Sequence, residues 1–146
     1  NLIIVGDGPE RKKIDEYVET HNLGLRVQLT GHINNFNKLK ELYAKSLVSV
    51  SPGYVGLSIT QSFAFGVPML ISRNEDHSPE IEAAKESSNA VFFQTDNQND
   101  FCLKVEEIFK SKKVFFEKRN IIADLCKKHY TVEQMAISFV QILRDN

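Results

Sequence analysis

Short apolar runs alternate with longer segments of helical periodicity along most of the chain. The first run, Leu2 to Val5, ends at Gly6, and the segment after it places Ile14 and Val18 on one helical face. Four further apolar runs follow, each separated from the last by a helical pattern, at residues 25–29, 47–50, 67–71 and 90–93. Strands separated by helices predict parallel pairing with right-handed crossovers. We therefore expect an α/β, Rossmann-like, doubly wound parallel sheet of about five to six strands.

The last third of the chain predicts helices alone. Thr131 and Gln134 form a capping box that marks the start of the last helix. The 146 residues, 42% of them hydrophobic, show no repeat, linker or low-complexity segment. Residues 1–146 are therefore expected to form one domain. Because the chain opens inside an apolar strand, without Met or a signal peptide, we expect a fragment of a larger protein.

Charge and cysteine content exclude several classes of protein. Lysine plus arginine number 18 and aspartate plus glutamate 19, so the basic field of a general nucleic-acid binder is missing. No apolar stretch reaches the roughly 18–20 residues of a membrane span. Two cysteines, Cys102 and Cys126, cannot form a disulfide scaffold or a Cys-rich zinc site, and both are expected to be buried in helices. No metal-ligand spacing is present, so no metal site is predicted.

Ligands of such sheets bind at the carboxyl ends of the strands. The first of these loops, with Gly6 and Gly8, begins like a dinucleotide-binding fingerprint, but Arg11 stands where the third glycine should be. No acidic residue ends the second strand, so the loop is interpreted as a tight turn and not as an NAD site. Asp76 and His77, after the fourth strand, are interpreted as part of a polar loop.

The loop after the third strand, residues 51–58, leads straight into a helix. Gly53 and Gly56 permit close backbone approach, and the N–H groups at the start of a helix favour anions. The loop lacks the lysine of a P-loop. Two interpretations stay open at this point: a diphosphate cradle, or a plain connection between a strand and a helix.

Taken in order, these segments resemble the C-terminal, donor-binding domain of retaining GT-B glycosyltransferases of family 4, or group 1. The resemblance rests on segments in the family's order and spacing: LIIVGDGPER at 2–11, RVQLTG at 26–31, LKELY at 39–43, VSVSP at 48–52, GVPM at 66–69, SPEI at 78–81 and YTVE at 130–133. It implies the C-terminal half of a GT-B fold.

The family's E-x7-E motif departs from its usual form here. Counted back from Gly66, its second glutamate falls on Gln61 and its first on Gly53. In the family the first acid contacts the donor sugar and the second binds the ribose. Gly53 offers no side chain, and a neutral amide at Gln61 gives a weaker contact than a carboxylate.

Carried over by position, the resemblance implies a substrate-binding role for several further residues. Backbone N–H groups would hold the diphosphate, at Val55, Gly56, Leu57 and Ser58. Gln61 would bind the ribose, while His32 and Ile33 would line the base pocket. Gly6 and Gly8 would let the backbone approach the nucleotide. Gly53 and Tyr54 complete the loop, and residues 75–78 would lie near the sugar.

The resemblance also implies what the whole protein does. A sugar would pass with retention from a nucleoside-diphosphate sugar to a glycan or lipid-linked acceptor, without a cofactor, in surface polysaccharide biosynthesis. We expect a cytoplasmic protein, peripheral at the inner membrane face. The acceptor domain, the catalytic histidine and two phosphate-binding cations would lie upstream, so no catalytic residue is assigned here and the isolated chain should be inactive. The alternatives are a GT-B-fold sugar-nucleotide epimerase and a non-catalytic nucleotide-binding or structural module.

Overall fold

The structure, a computed structural model, describes residues 1–144. The chain divides into two compact units, which meet in sequence between Leu42 and Tyr43. Strands alternate with helices up to β5, and four helices follow. The elements are β1 (Leu2–Val5), α1 (Arg11–Thr20), β2 (Val27–Gly31), α2 (Phe36–Lys45), β3 (Ser49–Ser51), α3 (Ser58–Ala64), β4 (Met69–Ser72), a 3₁₀ helix (Pro79–Ala83), β5 (Ala90–Phe93), α4 (Gln98–Lys110), α5 (Lys112–Glu117), α6 (Arg119–His129) and α7 (Val132–Arg144).

The first unit contains one parallel pair of strands, β1 and β2. Leu2 pairs with Val27, and the register shifts by one residue between Ile4 and Val5. After that shift, the Gly6 N–H donates to the Gly31 carbonyl at 2.9 Å. Both glycines have positive φ, +140° and +73°, so each position favours glycine. The carboxyl ends of β1 and β2 are therefore joined by a glycine pair.

The second unit contains a three-stranded parallel sheet in the order β3-β4-β5. The central strand, β4, is buried along its whole length. Met69 and Ile71 pack in a cluster with Ile59 and Phe63 of α3 and with Ile122 of α6. Leu70 belongs to a separate cluster with Phe93 and Ile108. Helices thus cover both faces of this sheet, as the doubly wound prediction requires.

The parallel α/β class expected from the sequence is confirmed, while some local expectations are wrong. β3 begins at Ser49, two residues later than the apolar run predicted. Leu25 is 96% exposed in the turn before β2 instead of lying in the strand. Cys126 is buried, as expected, but Cys102 is exposed on α4. An apolar residue at a helical position is therefore not always a core residue.

The last helix begins where the capping box predicts. The Gln134 N–H donates to Thr131 Oγ1 at 3.2 Å, which satisfies one of the free donors of the first turn. No residue of α7 is buried, and Met135, Phe139 and Leu143 are all more than half exposed. Among residues 1–144, no helix combines the length and the hydropathy that a membrane span needs.

Gly66 connects α3 to β4 at a position that excludes a side chain. Its φ is +72°, and a Cβ atom there would lie 2.5 Å from the carbonyl oxygen of Arg119. Arg119 cannot move freely, because its guanidinium donates to the carbonyls of Tyr43, Ala44 and Ser46 at the end of α2. Gly66 thus fixes how closely α6 packs on this turn.

We predict that Gly66→Ala lowers the free energy of unfolding by about 2–4 kcal/mol, because it combines a strained φ with a backbone clash. Urea denaturation measures the change. Gly24→Ala is the matched control, because φ at Gly24 is not in the left-handed region and a Cβ there meets nothing within 4 Å. Equal stability of the two variants would contradict this account of Gly66.

Candidate functional site

The donor loop, residues 51–58, connects β3 to α3 at the carboxyl end of the three-stranded sheet. Ser51 is buried, and its hydroxyl lies 3.3 Å from the Gly53 carbonyl and 3.1 Å from the Tyr54 carbonyl. These contacts hold the first half of the loop against the end of its own strand. A short side chain that can donate is what such a turn needs.

Val55 anchors the second half of the donor loop. Its side chain is fully buried in the core cluster beneath α3. Its N–H donates to His77 Nδ1 at 3.1 Å, and its carbonyl accepts the Ser78 N–H at 3.0 Å. Of the four N–H groups expected to hold a diphosphate, the N–H of Val55 is therefore already hydrogen-bonded.

Among the described residues, the next three N–H groups have no acceptor. Within residues 1–144, no hydrogen bond is donated by the backbone nitrogens of Gly56, Leu57 or Ser58. Their own residues are nevertheless held in place, because Gly56 and Leu57 accept from the Ile59 and Gln61 N–H groups. Three adjacent donors at the start of α3 can therefore bind an anion without breaking an existing hydrogen bond.

Gly56 lies where two neighbouring side chains leave little room for a side chain of its own. A Cβ atom there would lie 3.3 Å from Tyr54 Cε1 and 3.7 Å from Ser78 Oγ. The space above the Gly56 backbone is therefore already limited by two side chains. A larger residue would displace Tyr54, which is 63% exposed.

Gln61, the residue predicted to bind a ribose, is exposed and oriented by a hydrogen bond. The Tyr43 hydroxyl donates to Gln61 Oε1 at 3.3 Å, and the Tyr43 ring stacks on Phe65 with centroids 4.6 Å apart. Burial raises the pKa of Tyr43, so the phenol stays protonated and remains a donor at neutral pH. In the part of the chain that the structure describes, the amide nitrogen of Gln61 donates no hydrogen bond. Gln61 also lines an open groove of about 780 Å³ between α3 and α6, together with Leu57, Ser58, Cys126, Lys127 and Tyr130.

The loop after β4, predicted to lie near a sugar, is held by a chain of hydrogen bonds. The Asn74 N–H donates to Thr95 Oγ1 at 2.8 Å, Thr95 Oγ1 lies 2.7 Å from Ser72 Oγ, and Ser72 Oγ donates to Glu75 at 3.1 Å. The Glu75 carboxylate is thereby fixed at the carboxyl end of the central strand.

The predicted residues of the first unit lie at the ends of β1 and β2. Gly6 pairs with Gly31, and Gly8 closes the tight turn in which the Arg11 N–H donates to the Gly8 carbonyl. His32 is exposed and Ile33 is half-buried, directly after β2. The Arg11 guanidinium bonds Asp15 at 2.9 Å and lies near Gly31. Within this unit the predicted base-binding residues therefore follow the glycine pair.

Two side-chain contacts of the site have no local signal in the sequence. His77 lies in the polar segment 75–78, which the resemblance places near the sugar, and its ring contacts the donor loop 22 positions away in the sequence. Tyr43, which the sequence marks only as the end of the LKELY segment, orients Gln61. Neither partnership has a local sequence signal. The position of His77 directly before the SPEI segment was the nearest available sign.

The residues described here contain no cluster of His, Cys, Asp and Glu side chains that could hold a metal ion. What the site offers instead is backbone N–H donors, the Gln61 amide and the carboxylate of Glu75. Such a set suits an anion bound beside hydroxyl groups.

Comparison with known proteins identifies the family. The model of the family described as glycosyl transferases group 1 matches residues 1–128. The chain therefore belongs to the group 1 glycosyl transferases. No curated protein matches the chain by sequence.

Solved structures show the same fold at low sequence identity. Sucrose-phosphate synthase from Thermosynechococcus elongatus superimposes with a TM-score of 0.79 at 20% identity, over 98% of this chain and 37% of that one. TarM, from S. aureus, gives 0.76 at 20% identity, over 95% and 28%. HepE of Anabaena, in complex with UDP, gives 0.74 at 14% identity, over 99% and 40%. The fold is the Rossmann-like α/β fold of a GT-B C-terminal domain, and the chain spans well under half the length of these structures.

We predict that the amides of the donor loop differ sharply in hydrogen exchange. The Val55 amide is buried and bonded, so it should exchange about a hundredfold or more slowly than those of Gly56, Leu57 and Ser58. Exchange followed by ¹⁵N NMR, corrected for sequence-dependent intrinsic rates, measures this ratio. Similar protection of all four amides would mean that the three donors are not available to a ligand.

Proposed function

We propose that this chain binds the donor of a retaining glycosyltransferase, a nucleoside-diphosphate sugar. The observation that carries the proposal is the row of three N–H groups at Gly56, Leu57 and Ser58, which have no partner within residues 1–144 and precede Gln61 by about one helical turn. Membership of the group 1 glycosyl transferases supports it. So does the UDP named with the similar structure of HepE.

The chemistry follows from where negative charge develops. When the bond between the anomeric carbon and the diphosphate breaks, the leaving diphosphate gains charge. N–H dipoles that are already oriented stabilise that charge without reorganisation during the reaction. In this proposal the three N–H groups bind the diphosphate, Gln61 binds the ribose, and His32 and Ile33 line the base pocket. Gly6 and Gly8 allow the backbone to approach the nucleotide.

The loss of both acids of the E-x7-E motif changes the balance of contacts. Gly53 can contact a sugar only through its backbone, and Gln61 offers a neutral amide. Donor binding here would depend more on backbone N–H groups and less on carboxylates. The same losses also favour a second candidate function, a non-catalytic nucleotide-binding module, which would bind a nucleotide without transferring a sugar.

The whole protein would transfer the sugar to a glycan or lipid-linked acceptor, in surface polysaccharide biosynthesis at the cytoplasmic face of the membrane. The acceptor site and the catalytic histidine would be supplied by another domain. The chain described here would therefore show no turnover by itself.

We predict that a nucleoside diphosphate shifts the backbone amides of the donor loop. UDP, GDP and ADP, each with its sugar conjugates, are titrated against ¹⁵N-labelled chain, with NAD as a control ligand. Perturbation should concentrate at residues 53–61 and 31–33, because these segments carry the proposed diphosphate, ribose and base contacts. NMR suits the test, since it detects binding too weak to shift a melting temperature.

One nucleotide acting at these two segments would support the proposal and identify the base. Shifts confined to other surfaces, or equal shifts with NAD, would count against it. Turnover by this chain alone would contradict the assignment of catalysis to another domain.

We also predict that Gln61→Glu strengthens nucleotide binding. A carboxylate accepts charge-assisted hydrogen bonds from ribose hydroxyls, and such bonds are roughly twice as strong as neutral ones, so affinity for UDP should rise roughly fivefold. The Tyr43 hydroxyl can still donate to the new carboxylate. NMR titration with UDP gives the two dissociation constants.

Gln141→Glu adds the same charge on the exposed face of α7 and serves as the control. If both variants change affinity equally, the effect is one of net charge. If Gln61→Glu weakens binding, Gln61 does not contact the ribose.

A further inference from the structure

His77 joins the end of the central strand to the donor loop through both of its ring nitrogens. Nδ1 lies 3.1 Å from the Val55 nitrogen, and Nε2 lies 2.9 Å from the carbonyl oxygen of Ser72, the last residue of β4. The ring is half-buried between these two contacts. One side chain therefore spans the gap between two neighbouring loops at the carboxyl edge of the sheet.

The two partners select one tautomer of the ring. A backbone N–H can only donate, so Nδ1 must carry a lone pair for Val55. A backbone carbonyl can only accept, so Nε2 must carry the proton for Ser72. The neutral tautomer with hydrogen on Nε2 is the form that satisfies both hydrogen bonds.

Loss of the hydrogen bond between the Val55 N–H and His77 would destabilise the donor loop. Val55 is fully buried, so its N–H would be left without an acceptor if the imidazole were removed. An unsatisfied buried donor is costly, and the loop would have to move to hydrate it. Because the unpartnered donors begin at the very next residue, Gly56, any such movement changes their direction.

A second contact couples the same loops, but it does not replace the first. The Ser78 N–H donates to the Val55 carbonyl at 3.0 Å, and Ser78 follows His77 directly. This bond holds the Val55 carbonyl, whereas the acceptor of the Val55 N–H is the His77 ring. The orientation of the following N–H groups depends on both.

We propose that His77 is a positioning residue of the donor site: by accepting the Val55 N–H while donating to Ser72, it holds the Gly56, Leu57 and Ser58 N–H groups in the arrangement that binds a diphosphate. This inference rests on the proposed function. His77 itself makes no contact with the nucleotide in this account. It acts through the backbone of Val55.

Two variants separate positioning from general stability. His77→Leu introduces an apolar side chain of similar reach and removes both hydrogen bonds. His77→Asn places an amide oxygen near the position of Nδ1, so it can still accept from Val55, although it no longer reaches Ser72. The dissociation constant for UDP is measured by NMR on the chain and on both variants, together with each melting temperature.

The expected result is a binding defect that the conservative variant rescues. His77→Leu should weaken UDP binding by about tenfold, the size expected for losing one hydrogen bond that orients the donors, and His77→Asn should stay within about threefold. A purely structural residue would lower the melting temperature in both variants and leave UDP affinity unchanged. Equal UDP affinity in all three proteins would overturn the inference while leaving the proposed function intact.

A spectroscopic measurement on the unmodified chain covers the case in which His77→Leu does not fold. Long-range ¹H–¹⁵N spectra of the imidazole should show a protonated Nε2, an unprotonated Nδ1, and a coupling from Nδ1 to the Val55 amide. A proton on Nδ1 would overturn the inference whatever the nucleotide does. If UDP, GDP and ADP all fail to bind the unmodified chain, the proposed function fails, and an intact bond to Val55 would then make His77 a structural brace only.

Discussion

Complete burial of the central strand is the constraint on which this structure depends. Every residue of β4 is buried, with Met69 and Ile71 facing one hydrophobic cluster and Leu70 the other. A strand that is buried on both faces is mainly apolar, so the polar groups of a site lie in the loop that follows it. The donor loop and the loop after β4 both lie at that carboxyl end, because the carboxyl ends of parallel strands lie at the same edge of the sheet.

The three unpartnered N–H groups depend on this burial in turn. Val55 is drawn into the core beneath α3, and its N–H is bonded to a side chain instead of to water. The core thus anchors one residue of the donor loop, while within residues 1–144 the next three N–H groups donate no hydrogen bond. A site built from backbone donors tolerates sequence change, since no side chain carries the charge. The proposed donor binding therefore relies on backbone N–H groups, with Gly53 and Gln61 in place of the two acids of the resembled motif.

The order of strands and helices and the donor loop could be predicted from the sequence, because both depend on local patterns. Apolar runs and helical periodicity are short-range signals, and so are Gly56 and the Thr131 cap. Leu25 and Cys102 were misplaced because local pattern does not show which apolar residue finds a partner in the core. The contact of His77 with Val55 could not be predicted, because it joins residues 22 positions apart in the sequence and depends on the tautomer of the ring. The hydrogen bond between Tyr43 and Gln61 also joins residues that are distant in sequence, so a local pattern does not predict it.

The most direct test of the account is a crystal structure of this chain with bound UDP. The account predicts diphosphate oxygens about 2.7–3.2 Å from the backbone nitrogens of Gly56, Leu57 and Ser58, with the Val55 N–H still bonded to His77. A nucleotide bound in the groove between α3 and α6, with those three nitrogens uncontacted, would contradict it.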